Sequence, residues 1–358
     1  MPEIWMRYGT SEVVLDIKAE NILNHLRIRE EPLGDDEVNS RFEAVNASID
    51  GTDAIDMVIL DDSRLVIDVA SGLIAYLEAK GRSIGSIYAT SKARVAGREA
   101  KPFKGIGTIG DRAVLISRAT LDPVFKYSCT VTALLRLDRM IMDNAYRIFI
   151  DDPSGSRIRS IIDAYVKDKR FISLEVLYGG HGLIDLLVCD AASSYSKVSA
   201  RLEGLAYTTS DACRSIIASP GYAYRLSDAL TALWNCSTML RDDGIIILMA
   251  ECIDGLGAKA LQMLVEGRLM YSNDHPIDAY GYIDGLEYLH MLNVMSRRGY
   301  DIGLLTMLPE LYVRALGFKP FRKVKDAIAY ILGKIGQRQK VMIVSDALIM
   351  PIIALNKQ

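Results

Sequence analysis

The sequence predicts an α/β protein of two domains, each built on a mostly parallel sheet. Three observations carry this expectation. The 358 residues exceed the usual size of one domain. Apolar runs suited to buried strands alternate with stretches of helical period. Two βαβ patterns, one starting at Met57 and one at Arg214, lie far apart in the chain.

The first pattern opens with Met57-Val-Ile-Leu60 and stops abruptly at Asp61-Asp62-Ser63-Arg64. Val66, Val69, Ala70, Leu73, Ile74 and Leu77 then recur at helical spacing until Gly81 ends the helix. Residues 86–90 read as the next strand, parallel to the first across a right-handed crossover. Further on, 112–117 looks like a strand, 131–142 is ambiguous, and 157–167 reads as a helix leading to a strand at 172–177. The second pattern takes 214–218 as a strand, Ser219-Pro-Gly-Tyr222 as the start of a loop, and Ser227 as the N-cap of a helix to Leu240. An Asp243-Gly244 turn then leads into Ile245-Ile-Ile-Leu-Met-Ala250, a run suited to a strand buried on both faces. Helical patterns at 258–266 and 283–297, a strand at 301–306 and a helix opened by Pro309 complete the alternation. The polar segment 195–210 is the best break. One domain is therefore expected over 1–204 and another over 205–340, with the last strand, 341–344, and the tail to 358 returning to the first.

Composition excludes several function classes. A net charge of -3 leaves no global field for nucleic acid or an anionic membrane, so any anion site must be local. No apolar run approaches the roughly 18 residues of a membrane span. Cys129, Cys189, Cys213, Cys236 and Cys252 are odd in number and form no C-x-x-C pair, which excludes a disulfide framework or a zinc knuckle and suits core residues of a cytoplasmic protein.

Among the motifs, Gly105-Ile-Gly-Thr-Ile-Gly110 matches G-x-G-x-x-G by letter, but Lys101-Pro-Phe-Lys precedes it and a strand-like run follows, so it reads as a glycine-rich turn. Only four histidines occur, His25, His181, His275 and His290. No two stand at metal-ligand spacing, and no metal site is expected.

The strand ends are more informative, because open α/β sheets bind ligands outside the carboxyl ends of their strands. Asp61, Ser63 and Arg64 follow one strand; Lys92 and Arg94 follow the next. With Gly221 and Tyr222 from the second pattern they are the candidate binding residues for a small anion, a hydroxy acid or a nucleotide. The alternative is structural: Ser63 caps the helix and Arg64 pairs with Asp61 or Asp62.

From Tyr8 to Ile352 the chain resembles the nickel-pincer lactate racemase family, the LarA-like proteins. Tyr8-Gly-Thr-Ser-Glu-Val-Val-Leu-Asp-Ile17 is similar to that family's opening hairpin. Leu60-Asp-Asp-Ser-Arg64 is similar to its S-D-x-T-R-P loop, with Leu65 in place of the proline. Ser219-Pro-Gly-Tyr222, Asp243 to Gly257, and Leu308 to Gly317 resemble its C-terminal domain. The resemblance implies two α/β domains facing across a cleft and a racemase or epimerase acting on a 2-hydroxy acid. It also implies a nickel pincer nucleotide attached to a lysine, with histidines that ligate the metal and move protons. The sequence departs from that pattern where the chemistry resides. Ala89-Thr-Ser-Lys-Ala-Arg94 stands where the family has G-T-H-R, no histidine occurs between His25 and His181, and Lys126 is the single stand-in for the anchoring lysine. Purified protein is therefore expected to hold no stoichiometric nickel and no covalent adduct. A non-catalytic relative, serving as a sensor or subunit, is the alternative function.

Overall fold

The computed structural model describes residues 3–49, 51, 54–108, 113–152, 157–210, 212–269 and 281–355, which form two compact units. One is Glu30–Arg201; the other joins Met1–Arg29 to Leu202–Gln358. Among the described residues, no helix is long and apolar enough to cross a membrane.

In Glu30–Arg201 a six-stranded sheet runs in the order Gly182–Asp190, Ile172–Gly179, Ala113–Arg118, Ile55–Ile59, Ile84–Ala89, Lys101–Pro102. Neighbours are parallel except for the hairpin made by Ile172–Gly179 and Gly182–Asp190, whose tight turn forces an antiparallel return. Helix Arg64–Ala79 lays Val66, Val69, Ala70, Leu73, Ile74 and Leu77 in one core with Met57, Ile59, Val114 and Ile116. Each larger side chain buried in this way contributes roughly 1.5–3 kcal/mol. The helix stops at Gly81, whose φ of 79° is left-handed, and the amides of Gly81 and Arg82 close on the carbonyls of Glu78 and Leu77. The ambiguous stretch at 131–142 resolves into two helices, Thr130–Arg136 and Arg139–Asp151. Asp138 restarts the second by accepting the amides of Met140 and Ile141. Ile106–Thr108 forms one 3-10 turn behind the edge strand Lys101–Pro102, which is not the strand-to-helix setting of a dinucleotide loop; residues 109 and 110 lie outside the described residues.

The other unit holds six strands, all parallel, in the order Lys319–Phe321, Asp301–Leu305, Leu240–Met249, Cys213–Ala218, Val341–Val344, Ile22–Leu26. The sequence reading sends 341–358 to the first domain. Instead Val341–Val344 pairs with Cys213–Ala218 on one side and Ile22–Leu26 on the other, which also draws residues 1–29 into this unit. All four of its residues are buried, so both of its edges need backbone partners. Two local expectations change as well. Helix Leu226–Ser237 has Arg225, not Ser227, as N-cap, because the amides of Leu226 and Ser227 are already taken by the carbonyls of Gly255 and Leu256. Asp243-Gly244 is not a turn ahead of the strand but an irregularity inside Leu240–Met249. Asp243 has φ 56° there, and the register slips between Cys213 and Ser215.

One polar group is placed deep in the first unit. Glu175 is completely buried in Ile172–Gly179, between Leu174 and Val176, which face the core shared with helix Arg64–Ala79. Strand alternation turns Glu175 to the opposite layer. There its Oε1 accepts from Thr130 Oγ1 and Ser194 Oγ, each at 2.6 Å, and its Oε2 accepts from the Thr130 amide at 3.0 Å. One carboxyl group thus ties the first turns of Thr130–Arg136 and Ser194–Glu203 to the sheet. Burial pushes its pKa from 4.5 up to about 7 against the opposing pull of those hydrogen bonds.

Between pH 4.5 and 7 the folded chain therefore holds a proton at Glu175 that the unfolded chain releases. The stability this contributes is full below the unfolded value and is lost as pH rises through the folded one, on the order of 3 kcal/mol in all. Glu175→Gln keeps the shape and removes the titration. Its thermal midpoint is expected to fall less than the parent's between pH 5 and 8 and to exceed it at pH 8. A variant no more stable than the parent at pH 8 would contradict this.

Candidate functional site

The chain leaves Ile55–Ile59 in two directions. It passes through helix Arg64–Ala79 to Ile84–Ala89 on one side and reaches Ala113–Arg118 on the other only later, so the strand order reverses beside Ile55–Ile59. Such a switch point opens a crevice at the carboxyl ends of the two strands. Leu60 to Arg64 lies on one lip and Arg118 on the other. Leu60 N donates to Ile116 O at 2.9 Å, which keeps the lips in register.

Each polar side chain of this loop has a distinct task. Asp61 Oδ1 accepts the Ser63 amide at 2.8 Å, an Asx turn that sets the helix entry, and its Oδ2 accepts from Arg118 Nε at 3.2 Å. Asp62 Oδ2 accepts from Ser91 Oγ at 2.5 Å, joining the loops that follow two adjacent strands. Ser63 is the N-cap residue, with φ -61° and ψ 144°, yet its hydroxyl makes no capping bond. That Oγ is buried and has no hydrogen-bond partner, the one such side-chain atom among the described residues. The first helical amide to reach a carbonyl is that of Ile67, on Ser63 O at 3.1 Å. The amides of Arg64, Leu65 and Val66 ahead of it have no acceptor among the described residues.

The structure separates the other expected residues. Arg64 leaves 81% of its side chain exposed and reaches Asp68, one turn on, at 3.9 Å; it does not pair with Asp61 or Asp62. Arg118, only 8% exposed, holds that place beside Asp61. The sequence offered one signal for it, a lone cation closing the apolar run Ala113-Val-Leu-Ile-Ser. Lys92 and Arg94 are exposed, the latter in a two-residue strand paired with Arg98–Glu99.

Gly221 and Tyr222 belong to the other unit, at its own switch point between Cys213–Ala218 and Val341–Val344. That crevice is filled by the N-terminal hairpin of Ile4–Tyr8 and Ser11–Leu15. Tyr8 bridges to Gly221, Ser219 Oγ donates to Arg7 O, and the Arg7 guanidinium lies 4.6 Å from the centre of the Tyr222 ring. At the hairpin turn Gly9 has φ 57°, and a Cβ there would stand 2.2 Å from Glu251 Oε2, the oxygen that takes the amide and hydroxyl of Thr10.

Among the described residues, the donors for a histidine-held nickel nucleotide are not assembled. His25 bonds Ser345 Oγ at 3.0 Å, and burial, with Arg27 nearby, lowers its pKa to about 4. His181 lies in the turn of a hairpin and His290 in helix Leu286–Arg297, while His275 lies outside the described residues. Among the described residues no three His, Cys, Asp or Glu side chains gather as a metal site. Lys126 is in a left-handed conformation with its ammonium 5.1 Å from the centre of the Tyr127 ring. Burial pushes the Cys129 thiol up to about 12, far from a thiolate ligand. Among the described residues, no set of side chains fits that group.

Two stability measurements separate the polar roles. Ser63→Ala is expected to leave the melting temperature unchanged or raised, since it removes an unsatisfied buried hydroxyl, whereas loss of a working N-cap costs about 1 kcal/mol. Urea unfolding is expected to show a loss of at most about 0.5 kcal/mol for Arg64→Ala and about 2 kcal/mol or more for Arg118→Ala, which strips the partner from Asp61. Equal losses from the two arginine variants would contradict the assignment.

No protein-family model matches the sequence, and no curated protein does. Among solved structures, the lactate racemase apoprotein from Thermoanaerobacterium thermosaccharolyticum is similar, with a TM-score of 0.73 and 16% identity over 98% of this chain and all of that one. A Thermotoga maritima protein solved by the Northeast Structural Genomics Consortium is similar at a TM-score of 0.57 and 10% identity, over 91% of this chain and all of that one. At these identities the likeness establishes architecture and not chemistry. The chain has the two-domain α/β fold of lactate racemase.

Proposed function

We propose that this chain binds a small anion, a 2-hydroxy acid or a nucleotide, at the loop from Asp61 to Arg64. The observation that carries the reading is the buried, unpartnered Ser63 hydroxyl at the N-terminus of a 16-residue helix, placed at a switch point of the sheet. A helix N-terminus favours negative charge, and uncapped amides present the donors. Leaving a buried hydroxyl unsatisfied costs about 1–3 kcal/mol, a cost that a bound acceptor removes. Asp61 shapes the loop, Arg64 stands at its exposed rim, and Lys92 and Arg94 supply positive charge on the neighbouring loop. Gly221 and Tyr222 serve the N-terminal hairpin in this reading. The protein is then a lactate-racemase-like binder, a sensor or subunit, that keeps the fold without the nickel chemistry. Racemisation or epimerisation of a 2-hydroxy acid is the second reading, supported by the likeness to the racemase apoprotein alone.

Calorimetric titration with lactate, other 2-hydroxy acids, and adenine or pyridine nucleotides tests the proposal. At least one of these ligands should bind the parent and lose roughly tenfold or more in affinity in Ser63→Ala. Arg64→Lys should weaken it less than Arg64→Ala if the guanidinium supplies charge alone, and equally if it supplies a two-pronged grip. Affinities identical in all four proteins would remove the site from this loop.

A further inference from the structure

We infer that the amino-terminal edge of the six-stranded sheet in the unit formed by Met1–Arg29 and Leu202–Gln358 docks the phosphate backbone of a nucleic acid duplex. This edge lies opposite the carboxyl ends where open α/β sheets take their ligands, so the inference is independent of the Asp61 loop. Arg214 is the second residue of Cys213–Ala218, and Lys340 immediately precedes Val341–Val344. The register that pairs Ile216 with Met342, carried two residues back, sets Arg214 level with Lys340, and Ser215 Oγ lies 3.5 Å from Lys340 O. On the other side Cys213 pairs with Leu240, and the next residue, Arg241, donates from Nε to Ala212 O at 2.9 Å. Arg338 stands in the loop before Lys340, where the carbonyls of Gln337 and Gln339 accept from Asn21 Nδ2. Three adjacent strands, spaced about 4.8 Å apart, thus each present an exposed cation, with Arg338 beside them.

Stability does not account for this row. Like charges level on neighbouring strands repel, and among the described residues none of Arg214, Arg241, Arg338 and Lys340 forms an ion pair. Elsewhere Arg147, Arg159 and Arg314 each sit on a carboxylate one turn away. The acids of this edge are engaged by other groups: Asp242 by Arg298 at 2.7 Å, Glu20 by Lys18 at 3.7 Å, and Asp301 by Lys334 at 3.9 Å. Asp243 Oδ1 stands over Gly299, where an added Cβ would meet it at 2.2 Å. The dipole of helix Val324–Ile335 favours Lys334 in its last turn, but that effect fades beyond the turn and leaves Arg338 and Lys340 unexplained. Guanidinium forks grip phosphate oxygens in pairs, and cations at strand spacing meet a repeating anion better than a single one. The exposed residues between them, Ala212, Gln337 and Gln339, include no large apolar side chain to enter a lipid interface, which favours a polymer backbone over a membrane. The net charge of -3 belongs to the whole chain, whereas this field is local.

The test is fluorescence anisotropy of the full chain with labelled DNA and RNA duplexes of about 20 base pairs, in KCl from about 50 to about 200 mM. Four phosphate contacts make log affinity fall against log salt with a slope of about 3.5, roughly a hundredfold across that range. Arg214→Gln combined with Lys340→Gln is expected to lower the slope by about 2 and to weaken binding at the lowest salt by roughly tenfold or more, with a melting temperature unchanged or raised. Lys323→Gln combined with Lys325→Gln removes the same charge at the far end of helix Val324–Ile335 and is expected to leave slope and affinity unchanged. The tighter of the DNA and RNA duplexes identifies the source of the backbone. Should the first double variant fail to fold, Arg338→Gln, in a loop, carries the test with a slope lower by about 1. Equal losses in the two double variants, no loss in the first, or no binding of either duplex at the lowest salt would overturn the docking edge. Phosphatidylserine-containing vesicles or polyglutamate that bind through Arg214 and Lys340 while the duplexes do not would overturn the nucleic acid as partner.

Discussion

Strands buried on both faces tolerate polar side chains chiefly where they end, and that constraint organises both units. All six residues of Ala113–Arg118 are buried, and its one charge sits at the carboxyl terminus. Leu240–Met249 is buried without a break from Ile245 onward, and Glu251 follows it. Polar groups therefore collect at one edge of each sheet, and the crossover helices of a parallel sheet start at that same edge. Hydroxyls, carboxylates and unsatisfied amides meet there because the interior of the sheet admits such groups only with hydrogen-bond partners in place, as at Glu175.

The two edges are closed in different ways. In the unit formed by Met1–Arg29 and Leu202–Gln358, the chain fills its own switch point: Ile4, Met6 and Leu15 of the N-terminal hairpin enter the core, and the hairpin's backbone meets Ser219 and Gly221. In Glu30–Arg201 the loop is ordered by Asp61, Asp62, Ser91 and Arg118, yet the Ser63 hydroxyl at its centre has no partner. Glu175, in the same unit, shows the contrast. Though completely buried it receives three donors from two residues, so its burial serves architecture. A buried polar group with its partners in place holds helices to a sheet, whereas one without a partner is the exception among buried polar groups.

Likeness to the lactate racemase apoprotein at 16% identity shows how little of a fold depends on the identity of most of its residues. The order of strands and helices requires only apolar residues at the right period and polar residues at strand ends. His25 bonds a serine at a strand end, and His290 lies in a helix of the same unit.

The sequence by itself determined the two α/β regions, because period and run length are local properties. It located helix Arg64–Ala79 to within a residue. It also placed Asp61 and Ser63 at a strand end, since an apolar run that stops in four polar residues can have few other meanings. Tertiary structure decided the rest, for reasons of long-range pairing. Val341–Val344 is apolar enough for either sheet, and only hydrogen-bond partners 125 and more positions away settle which one it joins. The guanidinium beside Asp61 comes from Arg118, 57 positions on, while Arg64, its neighbour in sequence, is turned to solvent by the helix that it begins. Ser63 has the composition of an N-cap, and only the folded chain shows that its hydroxyl caps nothing. Residue types reveal which polar groups can meet, but whether a group is satisfied depends on every neighbour the fold brings to it.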